Sequence, residues 1–117
     1  MKKFDLTTED HQLIASAAIQ AEKNIIQLNG QQSPPQVAAG LRLDDGQIII
    51  STNLIADVGG LSICAEPMAI SAANRQPGKK IAAVVAVYHA AGQSPKVVSP
   101  CGHCREMITD YAPEAFV

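Results

Sequence analysis

All three cysteines of the chain fall within two short motifs, Cys64-Ala65-Glu66 and Pro100-Cys101-Gly102-His103-Cys104. Zinc binds thiolates, takes four ligands, and keeps one position for water at catalytic sites. Cys101 and Cys104 are three residues apart, so their thiols share a face within one helical turn. Cys64 comes from a separate segment and completes a set of three protein ligands. The cysteine pattern therefore predicts one zinc ion with a vacant coordination position.

Glu66 lies two residues beyond the first cysteine and provides a carboxylate beside the predicted metal ion. Zinc lowers the pKa of bound water from about 15.7 to about 7, and a carboxylate can take the proton and return it to a substrate. Zinc deaminases combine such a glutamate with a Pro-Cys-x-x-Cys motif. The sequence thus predicts a hydrolase in which Glu66 is the catalytic proton shuttle and Cys64, Cys101 and Cys104 are the metal ligands.

Length, charge and composition predict a single domain spanning residues 1–117. The chain is 47% hydrophobic with a formal net charge of −2, so nothing favours binding to a phosphate backbone. The N-terminus has no apolar run typical of a signal peptide, and no segment approaches the about 20 apolar residues of a membrane helix. We therefore expect a cytoplasmic protein with no nucleic-acid or membrane partner. Three cysteines would leave one thiol over in a disulfide framework, whereas metal binding uses all three.

The elements that must position these residues follow from periodicity and from the turn residues. The pattern predicts a helix over residues 7–29, a loop over 31–35, and a hairpin of two strands, 37–43 and 47–54. A second helix, starting at residue 62 or 64 and ending at 74, a strand over 81–88, a third helix over 101–111 and a strand over 114–117 follow. Strands alternating with helices favour one sheet with helices packed on its faces. Both cysteine motifs then lie at helix N-termini, whose partial positive charge would offset the thiolates and lower the thiol pKa values.

These motifs make the chain resemble the small cytidine deaminase family, including the related blasticidin S deaminases, from about Val37 onwards. The resemblance implies a three-layer α/β/α fold, with a mixed central sheet and helices on both faces. It also implies a Zn2+ cofactor, a role in pyrimidine salvage, and a homotetramer or homodimer whose sites are completed by neighbouring subunits. The expected reaction is hydrolytic deamination of cytidine, deoxycytidine or a related aminopyrimidine.

Matching the motifs position by position assigns further roles in substrate binding. The backbone of Ala65 is expected to contact the pyrimidine carbonyl, and the backbone at Ser99 the departing amine. Asn53 corresponds to the asparagine of a sugar-binding Asn-x-Glu motif, although a polar cap at a strand end is an equal alternative. Arg105 either bonds a ligand sulfur and shares its negative charge or lies on the surface.

Three departures from the cytidine deaminase pattern concern the substrate. The sugar-binding glutamate is replaced by Ile55, a pocket phenylalanine by Pro35, and the arginine after Cys-Ala-Glu by Pro67. Blasticidin S deaminases also lack that arginine, so a blasticidin S-type activity is the alternative within the family. The chain is also expected to stop within its fourth strand, where relatives continue. The identity of the nucleoside therefore stays open.

Two alternatives from other functional classes compete with a deaminase. Cys101-Gly102-His103-Cys104 matches the dithiol of a thiol–disulfide oxidoreductase, but that function leaves Cys64 and Glu66 unexplained. A non-catalytic zinc module would need a fourth protein ligand, for which His103 and His89 are the candidates. We expect His103 to be exposed and His89 to have a structural role.

Overall fold

The computed structural model describes residues 5–23, 26–28, 31–33, 37–56, 58, 62–90 and 92–117. The elements in chain order are α1 (Thr8–Lys23), β1 (Ile26–Leu28), β2 (Gln31–Ser33), β3 (Val37–Leu43), β4 (Ile48–Thr52), α2 (Ala65–Ala73), β5 (Ile81–Tyr88), β6 (Lys96–Val98) and α3 (Gly102–Tyr111). Strands β1 and β2 form a two-stranded sheet, and the main sheet has the order β4-β3-β5-β6. Within the described residues, no helix has the length and apolar character needed to span a membrane.

The main sheet carries helices on both faces, because alternate residues of its central strands point in opposite directions. Ala39 and Leu41 of β3 belong to a buried cluster with residues of α2 and α3. Ala38, which precedes Ala39 and so points to the other face, packs with Ala17 and Ala21 of α1. These two cores confirm the predicted three-layer α/β/α arrangement.

Helix α1 begins with a reciprocal capping interaction and approaches the sheet closely. Thr7 Oγ1 accepts a hydrogen bond from the Asp10 amide at 3.2 Å, and Asp10 accepts one from the Thr7 amide at 3.0 Å, which is the capping-box pattern. Asp10 also forms an ion pair with Arg42 of β3 at 2.8 Å. A Cβ atom on Gly40 would lie 2.9 Å from Cδ1 of Leu13. Only glycine at that position lets α1 pack this closely on β3.

The sheet is less mixed than the resemblance implies. Every pairing between neighbouring strands β4, β3, β5 and β6 is antiparallel. Parallel pairing is limited, among the described residues, to one bridge between Ala83 and Phe116. Its hydrogen bonds run from the Phe116 amide to Ala82 and from the Val84 amide to Phe116, at 3.0 and 2.8 Å. The predicted strand over 114–117 is therefore a single bridge.

Two other predictions of secondary structure were wrong. Helix α1 ends at Lys23. Residues 26–28, predicted to belong to that helix, pair with residues 31–33, predicted to form a loop. Asn29-Gly30 is a typical two-residue hairpin sequence, but the helical spacing of the preceding isoleucines favoured interpreting it as a helix end. Strand β6 was not predicted, because three residues are too few for periodicity to show. Pro35 lies outside the described residues.

Candidate metal centre and active site

Two of the three cysteines occupy the same structural position, at the N-terminus of a helix. Cys64 is the N-cap residue of α2 and Cys101 is the N-cap residue of α3, with extended φ/ψ of −65°/160° and −66°/167°. Sγ of Cys101 accepts a hydrogen bond from the Cys104 amide at 3.4 Å. Pro67 lies in the first turn of α2, as predicted, where its missing N–H removes no intrahelical bond. The fold thus brings two helix N-termini to one place.

The three sulfur atoms form one cluster. All three lie within 4.8 Å of one another, and within the described chain they are the one group of three or more His, Cys, Asp or Glu residues arranged to hold a metal ion. Sγ of Cys64 is 3.8 Å from Sγ of Cys101. A tetrahedral zinc ion with Zn–S bonds of about 2.3 Å requires a sulfur separation of about 3.8 Å. The donor atoms and their spacing therefore fit zinc.

Glu66 reaches this cluster from inside the protein. Its side chain is 4% exposed and is the single buried polar or charged side chain among the described residues. Oε2 of Glu66 accepts a hydrogen bond from the Cys104 thiol at 3.3 Å. Burying a carboxylate is costly unless it is paired, so this contact fixes the side chain against the sulfur atoms.

The three thiols have different proton affinities in the metal-free arrangement. The hydrogen bond from the Cys104 amide lowers the pKa of Cys101. Burial raises the pKa of Cys64. Burial, together with hydrogen bonds to Cys101 and Glu66, also raises the pKa of Cys104. Because zinc binds thiolates, metal binding must displace the protons that the three thiols carry.

A cavity of about 290 Å³ opens beside the cluster. The predicted substrate-binding residues Asn53, Ala65 and Ser99 all line it, together with Glu66 and Cys64. The rest of its wall is mostly aliphatic and comes from both ends of the 54–63 segment and from the sheet: Val37, Leu54, Ile55, Ile63 and Val98. The structure therefore places the sulfur atoms, the carboxylate and the predicted substrate contacts around one space.

Part of the cavity wall was not predicted from the sequence. Leu54 and Ile63 exchange two backbone hydrogen bonds of 2.9 Å, and Ser62 Oγ accepts one from the Ala56 amide at 3.1 Å. These contacts join the residues that follow β4 to the residues that precede α2, at the wall of the cavity. Ile63 and Val98 directly precede predicted site residues, so their place in the cavity wall could have been predicted from the sequence. The Leu54–Ile63 bridge has no local sequence signature.

Asn53 and Arg105 have contacts that refine their expected roles. Oδ1 of Asn53 accepts a hydrogen bond from the Val37 amide at 3.4 Å, so Asn53 caps the strand end while also lining the cavity. Nε of Arg105 donates to the carbonyl of Pro100 at 3.1 Å, a backbone atom and not a ligand sulfur. Both residues thus contact the main chain of segments that form the site.

The two candidate histidines do not join the sulfur cluster. His103 is exposed, as expected for a residue between two ligands on one helical face. Nδ1 of His89 is 3.0 Å from the carbonyl oxygen of Ala18. Since that oxygen can only accept, Nδ1 carries a proton and donates to it. His89 therefore links β5 to α1, and within the described residues the metal cluster remains a three-cysteine set.

The sheet lies between helices, and three cysteine sulfurs at two helix N-termini lie next to a buried glutamate and an open cavity. This arrangement is typical of zinc-dependent deaminases. The family described as "Cytidine and deoxycytidylate deaminase zinc-binding region" matches residues 7–117, and the chain belongs to this family. The predicted family, the zinc cofactor and the hydrolase class are thereby confirmed.

Named relatives agree with this assignment. A blasticidin-S deaminase from Bacillus cereus is 37% identical over 121 residues, covering 100% of this chain and 83% of that protein. A cytidine deaminase from Halalkalibacterium halodurans is 30% identical over 104 residues, covering 89% of this chain and 74% of that protein. The crystal structure of the cytidine deaminase from Bacillus anthracis has a TM-score of 0.74 and 26% identity, covering 93% of this chain and 73% of that chain. A thiol–disulfide oxidoreductase is not supported.

Proposed function

We propose that the chain hydrolyses the exocyclic amine of a cytosine-type nucleoside or related aminopyrimidine, as in the conversion of cytidine or deoxycytidine to the uracil product and ammonia. The observation that carries this proposal is the contact between buried Glu66 and Cys104 at 3.3 Å, at the edge of a cavity that Glu66 also lines. A metal-ligand set, a proton-transfer group and space for a ring thus lie in one place.

Cys64, Cys101 and Cys104 would hold the zinc ion. Zinc supplies Lewis acidity, which makes water at the site a nucleophile near neutral pH. Glu66 accepts the proton of the attacking water at Oε2, the atom that Cys104 releases when its thiol is deprotonated for metal binding. Glu66 gives this proton to the ring nitrogen as the water oxygen bonds to the ring carbon. It then takes the proton of the new hydroxyl group and gives it to the amine, so the carbon–nitrogen bond breaks, ammonia departs and a carbonyl remains.

Substrate orientation is assigned to residues that line the same cavity. The backbone of Ala65, at the start of α2, would contact the pyrimidine carbonyl, and the backbone at Ser99 would contact the departing amine. Asn53 would donate from its Nδ2 atom to the group attached to the ring, because its Oδ1 accepts from Val37. The aliphatic wall excludes water from the ring, which strengthens these few polar contacts.

A blasticidin S-type substrate is the second candidate. The 37% identity to a blasticidin-S deaminase extends over the whole chain. In addition, Ile55 lines the cavity, and its side chain has no atom that could bind a sugar hydroxyl. A ribose-bearing substrate would therefore lack a carboxylate partner at this position.

Assembly and location complete the proposal. Several large apolar side chains at the cavity rim are exposed, including Leu54 at 47% and Ile63 at 42%. Their exposure agrees with a homotetramer or homodimer in which a neighbouring subunit covers the rim, and light scattering of the purified protein would test it. A cytoplasmic location and a role in pyrimidine salvage belong to the same proposal.

The direct test is Glu66→Gln, with ammonia release measured on cytidine, deoxycytidine, cytosine and blasticidin S. We expect kcat to fall by about 10²- to 10⁴-fold on the preferred substrate, since the variant lacks the proton acceptor. Zinc content and thermal unfolding should stay close to the parent values because shape is conserved. Glu106→Gln, on the exposed surface of α3, is the matched control. Parent-like activity in Glu66→Gln with full zinc content would remove Glu66 from the mechanism.

A further inference from the structure

Arg105 binds the chain segment that enters α3. Its Nε donates to the carbonyl of Pro100 at 3.1 Å, and its backbone amide donates to the carbonyl of Cys101 at 2.9 Å. One residue therefore holds two successive carbonyl groups of the turn that carries a proposed metal ligand.

The contact lies on the back of this segment relative to the metal centre. Ser99 lines the cavity beside the sulfur cluster and also a second cavity of about 420 Å³, which Pro100 and Arg105 line as well. Pro100 is buried, while the Arg105 side chain is exposed. The 99–101 segment is thus a thin wall, with the metal centre on one side and the guanidinium group on the other.

The local backbone explains why such a contact is needed. The ring of Pro100 fixes φ, so the main rotation left between Ser99 and the Cys101 N-cap is ψ of Pro100. Rotation about this bond would turn the Pro100 carbonyl and move Sγ of Cys101 relative to Cys64. A hydrogen bond from a charged guanidinium is stronger than a neutral one, and it restrains this carbonyl directly.

We propose that Arg105 is a positioning residue: by holding the Pro100 carbonyl, it fixes both the Cys101 sulfur in the metal cluster and the Ser99 backbone in the substrate cavity. The effect on the metal site is independent of the reaction, whereas the kinetic effect rests on the proposed deaminase function. Arg105 acts through the backbone and touches neither metal nor substrate.

The test uses Arg105→Met, which removes the donor and the charge at similar length, and Arg105→Lys, which keeps the charge but lacks Nε. Arg75→Met, on the exposed turn after α2, is the matched control. Each protein is loaded with cobalt(II), whose thiolate charge-transfer and ligand-field bands report the geometry of the cysteine site. Zinc affinity, thermal unfolding, kcat and KM are measured on the same preparations.

We expect Arg105→Met to shift the cobalt bands and to lower kcat about tenfold or more, the range of a lost charge-assisted hydrogen bond. KM and the unfolding temperature should change little, and Arg105→Lys should shift the same bands by a smaller amount. Arg75→Met should match the parent protein. A purely structural role would instead lower the unfolding temperature and leave the bands of the folded fraction unchanged.

Parent-like cobalt bands and kcat in Arg105→Met would overturn the proposal. If that variant does not fold, the bands of Arg105→Lys decide in the same way. If the parent protein deaminates none of the substrates, the proposed function fails, but the cobalt spectra still test the positioning role.

Discussion

Mild oxidation of the metal-free protein should link Cys64 to Cys101, although Cys101 and Cys104 form the Cys-x-x-Cys motif. Cys64 and Cys101 are both exposed, and their sulfur atoms are 3.8 Å apart, so small side-chain rotations bring them to the about 2.05 Å of a disulfide. Cys104 is buried and its thiol is hydrogen-bonded to Glu66. Hydrogen peroxide takes two electrons from the two thiols, forming one disulfide and two molecules of water.

The size of the effect follows from the loop that the bond closes. Cys64 and Cys101 are separated by 37 positions, for which the chain-entropy relation gives about 3.8 kcal/mol of stabilisation at 25 °C, against about 1.6 kcal/mol for a three-residue loop. The oxidised metal-free protein should therefore unfold at a clearly higher temperature than the reduced metal-free protein. Loss of zinc-binding capacity should accompany this gain.

The assay is peptide mapping of peroxide-treated protein, with thermal unfolding on the same sample. Cys104→Ser should still form the disulfide, Cys64→Ser should not form it, and zinc-loaded protein should resist oxidation. A dominant link between Cys101 and Cys104 would show that access and sulfur separation do not control the chemistry, and the reasoning would be refuted.

Two further predictions concern the packing of α1 against the sheet. The hydrogen bond from Arg42 lowers the pKa of Asp10 below its usual 3.8. The ionised Asp10 side chain therefore stabilises the folded protein above pH 3.8, and this stabilisation is lost as the pH falls through the lower pKa of the folded state. Asp10→Asn should therefore reduce stability near neutral pH, with the difference from the parent vanishing at acid pH, as denaturant titrations at several pH values would show. Gly40→Ala places a Cβ atom 2.9 Å from Leu13 and 3.1 Å from Ile50; we expect a loss of about 1–3 kcal/mol in unfolding free energy, and an unchanged urea midpoint would contradict it.

The clustering of the three cysteines and Glu66 was predictable because it is encoded locally. The spacing of Cys101 and Cys104, and of Cys64 and Glu66, specifies which atoms share a helix start. Long-range pairings lack such local codes. The Leu54–Ile63 bridge that closes the cavity wall joins residues separated by a glycine-containing segment, and no periodicity marks it.

The wrong predictions arose where two local signals competed. Asn29-Gly30 ends helices and also turns hairpins, and the neighbouring isoleucines suit a helical stripe as well as a strand. The pairing of residues 26–28 with residues 31–33 decides between these possibilities. Neither the helical spacing nor the Asn29-Gly30 signal predicts that pairing.

The negative charge of the three thiolates must be offset within the site, and the arginine that does this in the family pattern is replaced by Pro67. Three thiolates on a divalent ion carry a net charge of about −1, and each helix N-terminus contributes about +0.5. Cys64 and Cys101 are the N-cap residues of α2 and α3, so the two helices together supply a compensating charge close to the sulfur atoms. Because this compensation comes from the backbone, it does not depend on the side chain at position 67, where the family pattern has an arginine and this chain has proline. Pro67 has no amide N–H, so Cys64 lacks the hydrogen bond that Cys101 receives from the amide of Cys104 at the corresponding position of α3.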